Sequence, residues 1–258
     1  NMMAGIPPFT HVCDFEQSLY TVHIGYCPTT GSWTPGGTWT MREVSIGLKN
    51  GLELEIVDPR MEEDAAMFSW TPVRPDTDIA FAMGLIHVLI KEKLYDRAFL
   101  LNYTNAPMLI RTDNGQPLKD TGGKYVVWNP KTRKAVPMGE PGVTPSLEGS
   151  FSVDGVACKT GFQLLAERVN NFTPEKVAQI TQIPQGAKRI RDIATKLGRL
   201  KPRSALQISS VASAKQANVI QKIRTFGIVN MLLGNFDKPG GIYFLQPPLT
   251  SGGPYYMS

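Results

Sequence analysis

Three patterns of apolar and polar positions follow one another along the first hundred residues. Leu19-Tyr-Thr-Val-His-Ile24 is rich in β-branched and aromatic residues and stops at Gly25. After a Gly/Pro/Thr loop to Gly37, Trp39, Val44 and Leu48 recur at helical spacing from Thr38, and Asn50-Gly51 supplies a stop. Leu52-Glu-Leu-Glu-Ile-Val57 alternates apolar and acidic positions, becomes fully apolar, and ends at Asp58-Pro59. Strand, helix and strand in that order predict a β–α–β unit, and therefore a locally parallel sheet. A short helix over Glu62–Phe68 and a strand over Trp70–Val73 are expected next. Asp76-Thr77-Asp78 then offers N-caps to a long apolar helix from Ile79 to about Lys93.

Past Asn105 the pattern changes. The stretch to Lys159 is rich in Pro, Gly and Lys, with one hairpin signal: Tyr125-Val-Val-Trp128, a turn at Asn129-Pro130-Lys131, then Ala135-Val136. Phe162–Val169 is amphipathic, and Thr173-Pro174-Glu175 reads as an N-cap, a first-turn proline and an early acid. Further helices are expected over Pro184–Leu197 and Lys215–Leu233. The predicted organisation is an α/β region over 1–104, a Pro/Gly-rich insert with a β-hairpin over 105–160, and a helical region over 161–258. That last region would pack on the sheet and lead to a next domain. The fold class is α/β: a parallel, Rossmann-like dinucleotide-binding sheet plus helical and irregular segments from an adjoining domain.

With 42% hydrophobic and 19% charged residues, the chain has the composition of a folded globular protein rather than a disordered one. The longest apolar stretch, Ile79–Ile90, is interrupted by Gly84 and His87 and falls short of the roughly 18 residues of a membrane span, so no direct span is expected. Asn1-Met-Met-Ala-Gly5 has neither the basic region nor the apolar core of a signal peptide. Location, periplasmic or cytoplasmic, is left open, because any targeting segment would stand outside this chain. The net charge is +5, with Lys188, Arg189, Arg191, Lys196, Arg199, Lys201 and Arg203 crowded together against Asp192 alone. A solvated helix face accounts for them, and no interleaved aromatic residues mark a nucleic-acid surface. Cys13, Cys27 and Cys158 match no zinc or iron–sulfur spacing and read as buried fillers. No carboxylate pair, Ser–His pair or Cys–His pair announces a catalytic centre, so neither catalytic nor metal-ligating residues are assigned.

In a β–α–β unit, ligands sit beyond the carboxyl ends of the strands. Those ends are Gly25-Tyr-Cys-Pro-Thr-Thr-Gly31 and Asp58-Pro-Arg60. A Gly/Thr loop can approach a pyrophosphate closely, and a carboxylate ending the second strand can accept from ribose hydroxyls or a base N–H. A plain Asp-Pro turn is the alternative. The Gly-x-Gly-x-x-Gly fingerprint of nicotinamide sites is absent near the first strand.

Val57-Asp-Pro-Arg60 is followed by Trp70-Thr-Pro-Val-Arg-Pro-Asp-Thr-Asp78 and the apolar helix. This resembles the molybdopterin oxidoreductase (dimethyl sulfoxide reductase) superfamily, in which a V-D-P-R segment precedes an I-R-P-G-T-D segment and a helix. The resemblance continues through Leu94-Tyr-Asp-Arg-Ala-Phe-Leu100, Tyr103-Thr-Asn-Ala-Pro107, Phe172-Thr-Pro-Glu175 with Ile180-Thr181, and Leu233-Gly-Asn-Phe-Asp-Lys-Pro-Gly-Gly241. The Thr-Asn-Ala-Pro stretch and its insert look most like the branch of polysulfide and thiosulfate reductases and phenylacetyl-CoA oxidoreductases.

The resemblance implies a set of cofactor-binding residues. The family's G-x-N-P loop falls on Gly25, Tyr26, Cys27 and Pro28, against the dinucleotide phosphates. Cys27 stands where the family has Asn, so that side-chain hydrogen bond is not carried over. Asp58, Pro59 and Arg60 match the segment near the guanosine, and Asp78 matches the Asp that holds the guanine edge. A carboxylate suits that role, being a two-point acceptor for N1–H and N2–H. Replacing Asp78 is expected to release cofactor while sparing the fold. Asp76 stands where the family has glycine, so the loop is expected to differ, although Asp tolerates positive φ better than most residues.

The implied cofactor is molybdopterin guanine dinucleotide with Mo or W, with a 4Fe-4S cluster in an amino-terminal part outside this chain. The implied partners are the rest of the chain's own catalytic polypeptide and a ferredoxin-like iron–sulfur electron-transfer subunit. Expressed alone, residues 1–258 are expected to be poorly soluble and to hold no metal. The alternatives are an α/β nucleotide-binding module and a non-catalytic scaffold, both without a redox role.

Overall fold

The computed structural model describes residues 11–25, 27–29, 38–208 and 218–244. In chain order the elements are β1 (His11–Cys13), β2 (Tyr20–Ile24), α1 (Thr38–Lys49), β3 (Glu53–Val57), α2 (Glu63–Met67), β4 (Ser69–Thr71), α3 (Asp78–Lys91), α4 (Arg97–Tyr103), β5 (Leu109–Arg111), β6 (Val126–Asn129), β7 (Lys134–Pro137), β8 (Ser150–Val153), β9 (Val156–Thr160), α5 (Gly161–Val169), α6 (Pro174–Thr181), α7 (Gly186–Leu200), β10 (Ser204–Ile208), α8 (Val219–Leu233) and β11 (Ile242–Phe244). They divide into two compact units. The first comprises Asn1–Ile79, Leu200–Asn230 and Asn235–Ser258, the second Ala80–Arg199 and Met231–Gly234.

The first unit is built on a four-stranded parallel sheet in the order β10-β2-β3-β4. The expected β–α–β unit is β2-α1-β3, with Val22 opposite Glu55 on one side and Leu206 on the other. Every residue of β2 is buried, which suits a strand paired on both edges of a parallel sheet. Cys13, Phe15, Val44, Leu52, Leu54, Ala205 and Ile242 form one apolar cluster of this unit. Helix α1 reaches it through Val44 and Gly47, where an added Cβ would lie 2.2 Å from the Phe15 carbonyl oxygen. Leu48, expected on that face, is 41% exposed. The buried stripe runs through Thr40, Val44 and Gly47 because glycine, not leucine, lets the helix approach so closely. The side chain of Trp39 lies outside the described residues.

The region read as helical, 161–258, also contains two strands. Ser204–Ile208 is β10, which pairs with β2, and Ile242–Phe244 pairs antiparallel with β1. The Asn230 side chain holds β10 from α8: its Oδ1 accepts from Leu206 N–H at 3.0 Å, and its Nδ2 donates to Leu206 C=O at 2.8 Å. Asn235 Nδ2 donates to the Ser204 carbonyl at 2.7 Å. The Asn235–Gly241 segment is thus tied to the sheet by a side-chain amide, and Gly240 N–H donates to the Asp14 carboxylate at 2.7 Å.

In the second unit, α3 is apolar all round and buried, with Phe81, Leu85, Ile86 and Leu89 fully enclosed. Gly84 lets Val177 of α6 and Ile190 of α7 approach, since a Cβ there would stand 3.1 and 3.3 Å from them. His87 Nδ1 lies 2.8 Å from the Val169 carbonyl oxygen. Thr173 caps α6 by accepting from Lys176 N–H, and Pro174 follows it in the first turn. Val126–Asn129 and Lys134–Pro137 pair antiparallel around the turn at Asn129-Pro130-Lys131. Strands β5, β9 and β8 form a further antiparallel sheet beside that hairpin. On α7, Ile190, Ile193, Ala194 and Leu197 are buried. Lys188 pairs with Asp192 and Arg191 with Glu175 on its solvated side.

Candidate functional site

A cleft of about 200 Å³ opens in the first unit, at the carboxyl ends of its parallel strands. Its lining includes Ile24 and Gly25 at the end of β2, Val57 to Arg60 after β3, and Ile208 at the end of β10. Pro75, Asp76 and Asp78 close another side, with Lys222 of α8. The positions predicted from sequence therefore meet here from three separate segments: Gly25, then Asp58, Pro59 and Arg60, then Asp76 and Asp78.

Each of those segments is turned by local chemistry. Gly25 has φ 64°, a conformation glycine adopts without steric cost, and its N–H still donates to the Val57 carbonyl at 3.0 Å. The sheet thereby continues one residue past β2 before the backbone departs. Pro59 carries no N–H and ends the β3 ladder. The Asp58 carboxylate accepts the Arg60 N–H at 2.9 Å, while the Trp70 indole N–H donates to the Asp58 carbonyl at 2.9 Å. These two bonds fix the Asp58 turn from its side chain and its backbone. Asp76 has φ 63°. The expectation that a non-glycine residue would alter this loop is therefore corrected: Asp holds the left-handed conformation that the family's glycine would supply.

The electrostatics are dominated by acids. Asp58 is 8% exposed, and burial foremost holds its carboxyl above the ordinary aspartate range. The charges of Glu62 and Asp78 push the same way, against the Arg60 N–H bond and the Arg60 guanidinium. Arg60 itself is exposed and paired with Glu62, so it does not neutralise the cleft. Asp78, the first residue of α3, pairs with Lys222.

Sequence reading misses that lysine. It is 2% exposed although it carries an ammonium group, and it stands in the first turn of α8, where the helix dipole disfavours a cation. Both penalties are offset by Asp78. The one available signal is a lysine, beside Gln221, between the apolar positions Ile220 and Ile223. Its partner lies far away in the chain, and local spacing cannot reveal that.

Cys27 and Pro28 are buried but do not line the cleft. The Cys27 thiol donates to Glu62 at 3.5 Å and is pushed up to about 12, by burial first and then by the neighbouring Asp64 and Glu62 charges. It stays a thiol at neutral pH. Thr29 anchors the same loop, giving its N–H to the Asp64 carboxylate at 2.9 Å and its hydroxyl to the other oxygen. Tyr26, Thr30 and Gly31, expected on the phosphate side, lie outside the described residues. Among the described residues there is no group of His, Cys, Asp and Glu able to hold a metal ion, and no helix is long and apolar enough to cross a membrane.

A guanine dinucleotide is tested here on the chemistry of the groups present. Three carboxylates, those of Asp58, Asp76 and Asp78, favour the N–H and O–H donors of a base and ribose and repel phosphate oxygens. A positive-φ glycine leaves backbone exposed at the strand end. The donor and acceptor set fits the nucleoside end of such a group.

No family model matches the chain. It is 28% identical over 240 residues to a sulfite dehydrogenase subunit of Allochromatium vinosum, a match that covers 77% of this chain and 24% of that protein. It is 31% identical over 191 residues to the alpha chain of dimethylsulfide dehydrogenase from Rhodovulum sulfidophilum, covering 67% and 20%. It is 29% identical over 213 residues to the formate dehydrogenase-O major subunit of Escherichia coli, covering 80% and 20%. The chain thus spans between a fifth and a quarter of the length of these curated relatives. Among solved structures, acetylene hydratase from Pelobacter acetylenicus shares the fold, with a TM-score of 0.59 and 23% identity over 91% of this chain and 24% of the other. By these relatives the chain belongs to the molybdopterin oxidoreductase (dimethyl sulfoxide reductase) superfamily of catalytic subunits, an enzyme family.

Proposed function

We propose that the cleft of the first unit binds the guanine end of one molybdopterin guanine dinucleotide, within a molybdenum or tungsten oxidoreductase several times longer than this chain. The observation that carries the reading is convergence. Gly25, Asp58–Arg60 and Asp78 lie in three segments and match the family residue by residue, Asp76 takes the place of its glycine, and all of them line one cleft at the carboxyl edge of a parallel sheet.

In this reading the bound group supplies the two-electron or oxygen-atom chemistry, at a metal held elsewhere in the longer protein. The residues of this chain orient it. Asp78 accepts the base N–H donors, Asp58 accepts ribose hydroxyls, and the Gly25 turn admits the backbone close to the phosphates. A 4Fe-4S cluster and a ferredoxin-like electron-transfer subunit belong to the same proposal, through the relatives named as subunits of dehydrogenases. The parallel α/β sheet serves here as a dinucleotide platform of the Rossmann-like kind. The test is to purify the full-length protein, hydrolyse the cofactor and quantify released GMP beside Mo and W. Stoichiometric GMP that falls in Asp58→Ala while the protein stays folded supports the reading. A pterin without a guanine nucleotide rejects it.

A further inference from the structure

We propose that Lys222 and Asp78 form a guanine-reading pair, in which Asp78 accepts from the base N1–H and N2–H while Lys222 donates to O6. The inference rests on the reading of this cleft as the guanine end of a dinucleotide site, and it adds the residue that sets base specificity. Lys222 lies in the wall of the cleft, with its ammonium on the Asp78 carboxylate. An ammonium carries three donors and a carboxylate about four lone-pair sites, so the bond between the two uses only part of each. What the pair offers is a donor beside an acceptor, on a buried lysine and an aspartate whose side chain is 12% exposed.

The pairing edge of guanine presents the complementary order: the O6 acceptor, then N1–H and N2–H. Adenine presents an amino donor, which would face the ammonium, and a bare N1, which would face the carboxylate. Each mismatch would set like against like, donor on donor or acceptor on acceptor, the situation in which polar sites discriminate strongly. A lysine placed only to neutralise acids could sit on either carboxylate. This one sits on Asp78, the residue matched to the guanine edge, and not on Asp58, whose carboxyl stays raised by burial and by nearby acids.

The experiment is calorimetric titration of the full-length protein, freed of cofactor, with GMP, IMP, AMP and ribose 5-phosphate. Unsubstituted protein should bind GMP and IMP in preference to AMP. Lys222→Met should weaken GMP and IMP alike by about ten-fold, since both keep O6, and leave AMP and ribose 5-phosphate unchanged. Asp78→Asn should weaken GMP more than IMP, which lacks the N2 amino group. Because Lys222→Met takes the ammonium away from Asp78, the Asp78→Asn/Lys222→Met double variant serves as the folded control. It should melt near the parent temperature and bind GMP and AMP equally. An equal loss for all four probes would assign Lys222 to phosphate, and an unchanged GMP affinity would make it a counter-ion only. Either result overturns the pair and leaves the cleft reading standing. Unsubstituted protein that binds no GMP rejects the cleft reading and the pair with it.

Discussion

The two units bury different things. In the second unit the fully enclosed side chains are almost all apolar, Phe81, Leu85, Ile86, Leu89, Phe162, Ile190, Ile193 and Leu197 among them, with Asn129, Thr160 and Thr181 as its buried polar residues. The first unit encloses Glu55, Asp58, Asp64 and Lys222, together with His23, Gln207, Asn230 and Asn235. Among the described residues, every buried charged side chain lies in that unit. Gln207 and Asn235 each keep a buried oxygen without a hydrogen-bond partner among the described residues. Buried charge and unsatisfied oxygens cost stability unless paired, and the unit that carries this cost is the one proposed for recognition, while the other buries mainly apolar surface.

Replacing Asp78 tests this division most severely. Asp78→Ala leaves Lys222 buried without its counter-charge, which costs about 3–5 kcal/mol of folding stability. Sequence alone suggests that Asp78 can be removed without harm to the fold, and the Lys222 partnership sets the opposite expectation. Urea unfolding should register the loss, and the Asp78→Asn/Lys222→Met double variant should recover most of it. In the second unit the equivalent damage comes from a cavity. Leu85→Ala should cost about 2–5 kcal/mol while the GMP content of the protein that remains folded stays unchanged. A fall in GMP content there would mean that the packing unit also governs recognition.

Smaller effects separate site from scaffold. Gly25→Val forces a β-branched residue into φ 64°, at a cost of about 1–2 kcal/mol, and should lower GMP content by more than that instability explains. A stability loss with full GMP content would reduce Gly25 to an ordinary turn. Asp58 gives a pH signature. Its folded carboxyl titrates above the ordinary aspartate value, so the folded state binds the proton more tightly than the unfolded chain. Stability must then fall as pH rises from the ordinary aspartate range through the raised value. Asp58→Asn should flatten that segment of the stability–pH curve, and an unaltered slope would show that other groups produce it. Least affected should be Arg191→Ala, which removes an exposed pair with Glu175 and should leave the melting transition where it is.

Much of the first unit is legible in local pattern. The β2-α1-β3 crossover is visible because alternation, helical spacing and the Gly25 and Asp58-Pro59 stops fall within forty residues. The apolar run of α3 announces its own burial. What cannot be read depends on distant pairing. Ser204-Ala-Leu-Gln-Ile208 is only five residues long and follows Pro202, so its strand character appears only when β2 lies beside it. The site divides the same way. Asp58, Asp76 and Asp78 sit in short motifs, whereas Lys222 has no motif and acquires meaning only from the carboxylate it meets. The Leu48 error has a similar origin, since helical period alone cannot tell that Gly47 is the point of closest approach.

The position of β10 also fixes an order of events during synthesis. Arg203 Nε donates to the Gln17 carbonyl across 186 positions at 2.7 Å, and β10 pairs along the whole length of β2. At about 5–20 residues per second, a ribosome needs roughly 10–40 s to deliver β10 after β2 has emerged. Throughout that interval one edge of a fully apolar-flanked strand carries N–H and C=O groups without their final neighbour, the situation in which strands pair with the wrong chain. Residues 80–199 are made entirely within the same interval. A pause or truncation just before Ser204 should therefore yield aggregates seeded at Tyr20–Ile24, and a β10 peptide added in excess should suppress them.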